Sequence, residues 1–139
     1  MNAVANTNKQ IVQHIHAELA QGNGRPFIES LAQDFRWTMK GRTAWSGTYA
    51  GRQVVQDQLL APLYAQFEGR YRNTAESFIA EGDQVVVQCR GEVSTKSGQR
   101  YDNEYCFIYR LAGGKVVALT EYLDTALVDA VLEAPARAG

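Results

Sequence analysis

Residues 99–124, QRYDNEYCFIYRLAGGKVVALTEYLD, decide the fold. They read as two long strands, 99–111 and 115–123, joined through Gly113-Gly114, because β-branched and aromatic residues flank a turn signal. The second strand carries one carboxylate, Glu121, among apolar neighbours. A carboxylate that faces an apolar interior is costly unless it is paired or protonated. In 99–111 the odd positions (Tyr101, Asn103, Tyr105, Phe107, Tyr109, Leu111) form the apolar face, so that face should point inward. In the last strand Val117, Leu119, Glu121 and Leu123 share one side and Val116, Ala118, Thr120 and Tyr122 the other. Both sides are partly apolar, so alternation alone leaves Glu121 unoriented.

Working outward, residues 71–80 and 85–94 read as two more strands, with turns at 81–84 and 96–98. Residues 52–67 read as a helix that Pro62 could kink. Residues 41–51 look like a loop anchored by Trp45 and Tyr49, and Phe35, Trp37 and Met39 alternate with polar residues as in a half-buried strand. Upstream, Thr7 could cap a helix over 7–21 with an apolar stripe of Ile11, Val12, Ile15 and Leu19, stopped at 22–24. Pro26 suits the first turn of a shorter helix through about Ala32. Asp124-Thr125 could cap a last helix carrying Leu127, Val128 and Val131. Helices followed by a meander predict an α+β fold in one domain over 1–139. The expected architecture is a strongly bent antiparallel sheet wrapped around three N-terminal helices, with a pocket between helices and sheet.

Composition excludes several function classes. The 139 residues carry a formal net charge of -1, which gives no electrostatic footprint for nucleic acid or an anionic membrane. Apolar runs are too short to span a bilayer, and the N-terminus lacks a secretory signal layout, so a cytoplasmic protein is expected. Cys89 and Cys106 lie inside strands and read as buried free thiols. No Gly-rich phosphate loop, HExxH or nucleophile elbow is present, so no cofactor or metal is expected.

Four stretches carry a family likeness: IVQHIHAELAQGN, SGTYAGRQVV, AEGDQVVVQCRGEV and NEYCFIYRLAGGKVVALTEYLD. With them the chain resembles the nuclear transport factor 2-like superfamily, which includes ketosteroid isomerase, SnoaL-like polyketide cyclases, limonene epoxide hydrolase and scytalone dehydratase. The resemblance implies the cone fold, a homodimer through the sheet, and a Glu121 that points inward. It also implies departures. Ile15 falls where steroid isomerases place a Tyr, and Thr38 or Met39 where they place an Asp base. Their second acid falls near Glu104 or Tyr105. Steroid isomerisation by that mechanism is therefore not expected. Arg90-Gly91-Glu92 together with Glu121 resembles the carboxylate pair of the epoxide hydrolases.

The candidate proton-transfer groups are Glu121, Asn103 and His14. Inward and desolvated, Glu121 would serve as a general acid–base; at the rim it would be a solvated or ion-paired residue. Asn103 could orient a substrate carbonyl or be satisfied by backbone. His14, beside the helical stripe, could reach the pocket as a base or only border the core. Trp37, Met39, Tyr49, Tyr64, Tyr105 and Leu119, with Trp45, could line a site for a small, mostly apolar organic ligand. The expected activity is cofactor-independent isomerisation, cyclisation, dehydration or hydration. The alternatives are a non-catalytic binding or association module and epoxide-hydrolase-like hydration.

Overall fold

The computed structural model describes residues 2–135. Helices α1 (Asn2–Leu19) and α2 (Arg25–Glu29) precede strands β1 (Leu31–Met39) and β2 (Gly47–Ala50). A continuous helical run follows: α3 (Arg52–Val54), a π-helical segment (Val55–Leu60) and α4 (Ala61–Tyr64). Then come β3 (Phe67–Glu81), β4 (Gln84–Thr95), β5 (Glu104–Ala112), β6 (Lys115–Leu123) and α5 (Thr125–Val131). The strands form one curved sheet in the order β2-β1-β6-β5-β4-β3. Every neighbouring pair is antiparallel except β1 and β6, which run parallel.

Local chemistry accounts for most boundaries. Pro26 stands in the first turn of α2, where its missing N–H costs nothing. Gly113 and Gly114, at φ +57° and +79°, supply the paired left-handed residues of a tight hairpin. Asp124 caps α5 by accepting from the backbone N–H groups of Ala126 and Leu127. Four sequence expectations need correction. Helix α1 begins at Asn2, so Thr7 lies inside it and caps nothing. The 41–51 loop contains β2, which pairs with β1 through Trp37↔Tyr49 and Thr38↔Thr48. Residues 101–103 run alongside the sheet outside its ladder, and β5 starts at Glu104. Cys89 is buried, but Cys106 is only half-buried and lies on the opposite face of the sheet.

The orientation that alternation left open is settled by register. Glu121 pairs with Phe107 on β5 and with Met39 on β1, both inward-facing. Directly paired residues in a ladder share a face, so Glu121 is carried inside with them. A register shift opposite Arg110 and Leu111 lets both Val116 and Leu119 turn inward although their numbers differ in parity.

Helix α1 packs on β3 and β4 with Val12, Ile15, His16 and Leu19 buried. Opposite them Phe35, Val85, Val87, Tyr109 and Val116 complete the core. No helix among the described residues is long and apolar enough to cross a membrane. At the deep end, β4 carries Gly91 where the Tyr71 ring crosses the strand. A Cβ there would stand 2.7 Å from the Tyr71 hydroxyl oxygen and 2.8 Å from its ring. Gly91→Ala should therefore displace Tyr71 and lower unfolding stability by about 1–3 kcal/mol, measured by urea denaturation. An unchanged midpoint would show that Tyr71 moves without cost.

Candidate functional site

Between the concave face of the sheet and the helical layer lies a cavity that opens to solvent beside Tyr64. About 60 Å³ of it is open to the centres of water-sized molecules. That is room for several waters or a small organic molecule, since one water needs roughly 10–15 Å³ on this measure. The walls are mostly apolar: Leu59, Leu60 and Leu63 from the helical run, Phe27 from α2, Trp45 after β1, and Val128 and Leu132 from the C-terminal segment. The π-helical turn brings the consecutive Leu59 and Leu60 into the wall together, and both are buried. The C-terminal segment is pinned over the cavity. The Trp45 indole donates to the Glu133 carbonyl at 3.0 Å, and Gln66 exchanges two hydrogen bonds with the Glu133 backbone.

One carboxyl group enters this apolar space. Glu121 is 4% exposed, and its Oε1 accepts a hydrogen bond from the Trp37 indole at 2.8 Å. Burial pushes its pKa up to about 7 from 4.5, and the Trp37 bond opposes only part of that rise. The group therefore exchanges its proton near neutrality. No protein donor among the described residues reaches its second oxygen.

Opposite the apolar wall lies a polar cluster. The Asn73 amide donates to the Tyr71 hydroxyl at 3.2 Å and places its oxygen 3.0 Å from His16 Nδ1. His16 Nδ1 therefore carries the proton, and Nε2 accepts from the Tyr109 hydroxyl at 2.8 Å. Burial lowers the His16 pKa to about 4, despite the favourable Asn73 bond, so the imidazole stays neutral. Tyr101 and Tyr105 line the same cavity, and the Tyr101 hydroxyl accepts from the Asn103 amide at 3.0 Å. Burial raises the phenols of Tyr71, Tyr101 and Tyr105, Tyr101 to about 12 and the other two well above their ordinary value.

The structure distributes the sequence candidates unevenly. Trp37, Met39, Tyr64, Tyr105 and Glu121 all line the cavity. Leu119 is buried one pair along from Glu121 but lies outside the lining, and Tyr49 is half-buried with its hydroxyl on the Trp45 carbonyl. His14 requires correction: it is exposed, and His16 is the buried histidine. The two stand about 200° apart on the helix, and the buried arc is set by Val12, Ile15 and Leu19. Asn103 requires correction too. Its amide is spent on Tyr101, the Asp124 carbonyl, and the backbone N–H groups of Glu104 and Asp124, so it positions Tyr101 instead of facing a ligand. The epoxide-hydrolase pairing also fails. Arg90 and Glu92 are exposed on the outer face, and Arg90 pairs with Glu76, so neither shares a water with Glu121. His16, Tyr71 and Asn73 were missed by sequence reading. The i, i+4 spacing of Val12 and His16 and the alternation of Tyr71 with Asn73 were the available signals. No three His, Cys, Asp or Glu side chains among the described residues group as metal ligands.

Comparison with known proteins agrees with this architecture. The SnoaL-like domain family matches residues 12–119. A candidate SnoaL-like polyketide cyclase from Jannaschia sp. CCS1 is 22% identical, with 98% of each chain covered and a TM-score of 0.77. Bal32a, from a soil-derived mobile gene cassette, is 20% identical over 94% of this chain and 99% of its own, at a TM-score of 0.80. TerC, co-crystallised with polyporic acid, is 20% identical over 90% of this chain and 97% of its own, at a TM-score of 0.75. At these identities the likeness carries the fold alone. No curated protein matches the sequence at a significant level.

Glu121 and His16 pull stability in opposite directions with pH. The folded chain holds the Glu121 proton up to about 7 against 4.5 unfolded, so that contribution is full below the unfolded value and is lost as pH rises through about 7. His16 sits near 4 folded against 6.5 unfolded, so its contribution is full above 6.5 and is lost as pH falls through about 4. Between these limits the folded chain holds one proton on Glu121 and the unfolded chain one on His16, and the two slopes oppose. Relative to wild type, Glu121→Gln should lose stability on acidification from about pH 6.5 to 4.5, by up to about 3 kcal/mol. Chemical denaturation across that range measures it; parallel curves would mean that Glu121 titrates alike in the folded and unfolded chain.

Proposed function

This chain belongs to the SnoaL-like domain family, and on that premise we propose that it binds a small, mostly apolar organic ligand in the cone and moves a proton on it through Glu121. The observation that carries this reading is a buried carboxyl, the one charged side chain buried among the described residues, poised near pH 7 and facing a mostly apolar cavity. Trp37 holds one carboxyl oxygen, which leaves the other to meet a ligand C–H or O–H. Ionised Glu121 takes the proton, and the neutral acid returns it to another atom. Isomerisation, cyclisation, dehydration and hydration all contain that pair of steps. None needs a protein nucleophile. The apolar walls exclude competing water and strengthen each polar contact inside. That TerC was co-crystallised with polyporic acid supports a small organic ligand in a fold of this kind.

The reading includes a homodimer in the cytoplasm. The outer face of the sheet leaves Ile79 and Tyr122 exposed at 64% and 46%, and register places Val86 and Ile108 in one row beside Ile79. Covering this face would remove apolar surface from water. Cys89 and Cys106 as free thiols suit a reducing compartment.

Two measurements test these statements. With a panel of small enolisable ketones in deuterated buffer, wild type should catalyse exchange of the acidic C–H. Glu121→Gln should be slower by about 10²–10⁴-fold, and an equal rate would remove Glu121 from the mechanism. Light scattering should give twice the chain mass, shifting to the monomer in Tyr122→Glu; a monomeric wild type would contradict the dimer.

A further inference from the structure

We propose that a groove beside the cavity mouth, lined by Arg70, is a second binding subsite, and that it takes a carboxylate which the ligand carries on a short chain. The ligand class is then an amphiphile, with an apolar body inside the cone and an anionic tail outside it. The inference deepens the small-ligand reading and rests on it. Three observations carry it.

The first is continuity. The groove runs between the α1–α2 turn and the start of β3, and about 220 Å³ of it is open to the centres of water-sized molecules. Gly22 and Gly24 form one side, and Gly69 and Arg70 the other. Leu19, Tyr64, Phe67 and Tyr71 line both the groove and the cavity. Tyr64 is 47% exposed at the shared mouth, and its ring stacks on Tyr71 at 27°. A chain that leaves the cavity past these rings keeps apolar contact until it reaches Arg70.

The second is an unpartnered charge. The Arg70 guanidinium makes no hydrogen bond or ion pair among the described residues. Other charged groups of these segments are engaged: Arg25 pairs with Glu29, Arg72 stands opposite Glu92 in the β3–β4 register, and Glu18 accepts from the Asn23 amide. A guanidinium offers a planar fork of donors that meets a carboxylate with two parallel bonds. Its single charge matches one carboxylate, whereas a phosphate would bring about two.

The third is fixed placement. Between the pairs Glu68↔Ser94 and Arg72↔Glu92, β3 advances from 68 to 72 while β4 moves only from 94 to 92, so β3 bulges. Within the bulge Tyr71 turns in over Gly91, and its neighbour Arg70 is exposed. The Arg70 stem lies against Gly22, where a Cβ would stand 3.1 Å from the arginine Cδ and 3.2 Å from its Cβ. Gly22 therefore leaves the gap that the stem fills, and the stem is held before any ligand arrives. An anchor ordered in advance loses less freedom on binding than a free surface arginine. The same bulge sets the Tyr71 ring in the cavity and the guanidinium outside it, which gives the two ends of the ligand their separate surroundings.

The probes are 4-(4-fluorophenyl)butanoate and 6-(4-fluorophenyl)hexanoate, each beside the alcohol of the same chain length, with binding followed by ¹⁹F NMR. In wild type at least one acid should bind about three- to tenfold tighter than its alcohol, and the margin should shrink as salt is raised. Arg70→Gln should remove the margin and leave the alcohols unchanged, and Arg70→Lys should keep part of it. An acid that keeps its full margin in Arg70→Gln overturns the assignment to Arg70. Equal binding of acid and alcohol at both lengths in wild type overturns the anionic subsite and leaves the Glu121 reading standing. Failure of every probe to enter wild type overturns the ligand pocket, and the subsite with it.

Discussion

The structure is organised around a carboxyl group that has been taken out of water and given one protein donor. Two charge-neutralising arrangements are common for such a group, an ion pair or several backbone N–H bonds, and Glu121 has neither. The lone indole of Trp37 is too little to keep it ionised and enough to hold its orientation. That balance requires Trp37 and Glu121 to come from adjacent strands with both side chains inward. The parallel β1–β6 register does this, pairing Trp37 with Leu119 and Met39 with Glu121. The apolar walls follow from the same requirement, because bulk solvent or a cation beside Glu121 would draw its pKa back toward the ordinary carboxylate value.

The opposite side of the cavity solves a different problem. Asn73, His16, Tyr109, Tyr71 and Tyr101 are polar groups inside a small core, and none of their buried side-chain atoms among the described residues is left without a partner. Continuous satisfaction makes such a network rigid, and a broken member would strand its neighbours. His16 is held neutral within it and works as a spacer that accepts from Tyr109 and donates to Asn73. The acid–base group and the hydrogen-bonding network thus stand apart, one able to change charge near neutrality and the other unable to.

Much of this was legible in the sequence, and the failures have definite causes. The Gln99–Asp124 hairpin and the inward odd-numbered face of β5 follow directly from alternation and the Gly-Gly turn. Alternation showed Glu121 as an oddity and left it unoriented because both faces of its strand are partly apolar; the resemblance alone pointed it inward, and the pairing to Phe107 places it there. His14 was preferred to His16 because both border the apolar stripe, and the buried arc of α1 depends on where β3 and β4 cross it. Asn103 looked like a ligand group among aromatics, yet the chain leaves the ladder there and uses its amide to tie 101–104 to Asp124. Tyr71 and Asn73 needed Gly91 to be recognised as the gap that admits a ring.

The pairing of β1 with β6 also sets when the site can exist. Trp37 and Glu121 are separated by 84 positions, and the strand that bears Glu121 is the last of the six. A chain emerging from the ribosome can assemble α1 and the β3–β4 hairpin early, but β1 then waits beside an open flank until β6 is made. Long-range closure of this kind slows folding and leaves strand edges exposed meanwhile. The buried carboxyl arrives with that final strand, so a nascent or truncated chain that ends before β6 lacks both Glu121 and the acceptor for the Trp37 indole.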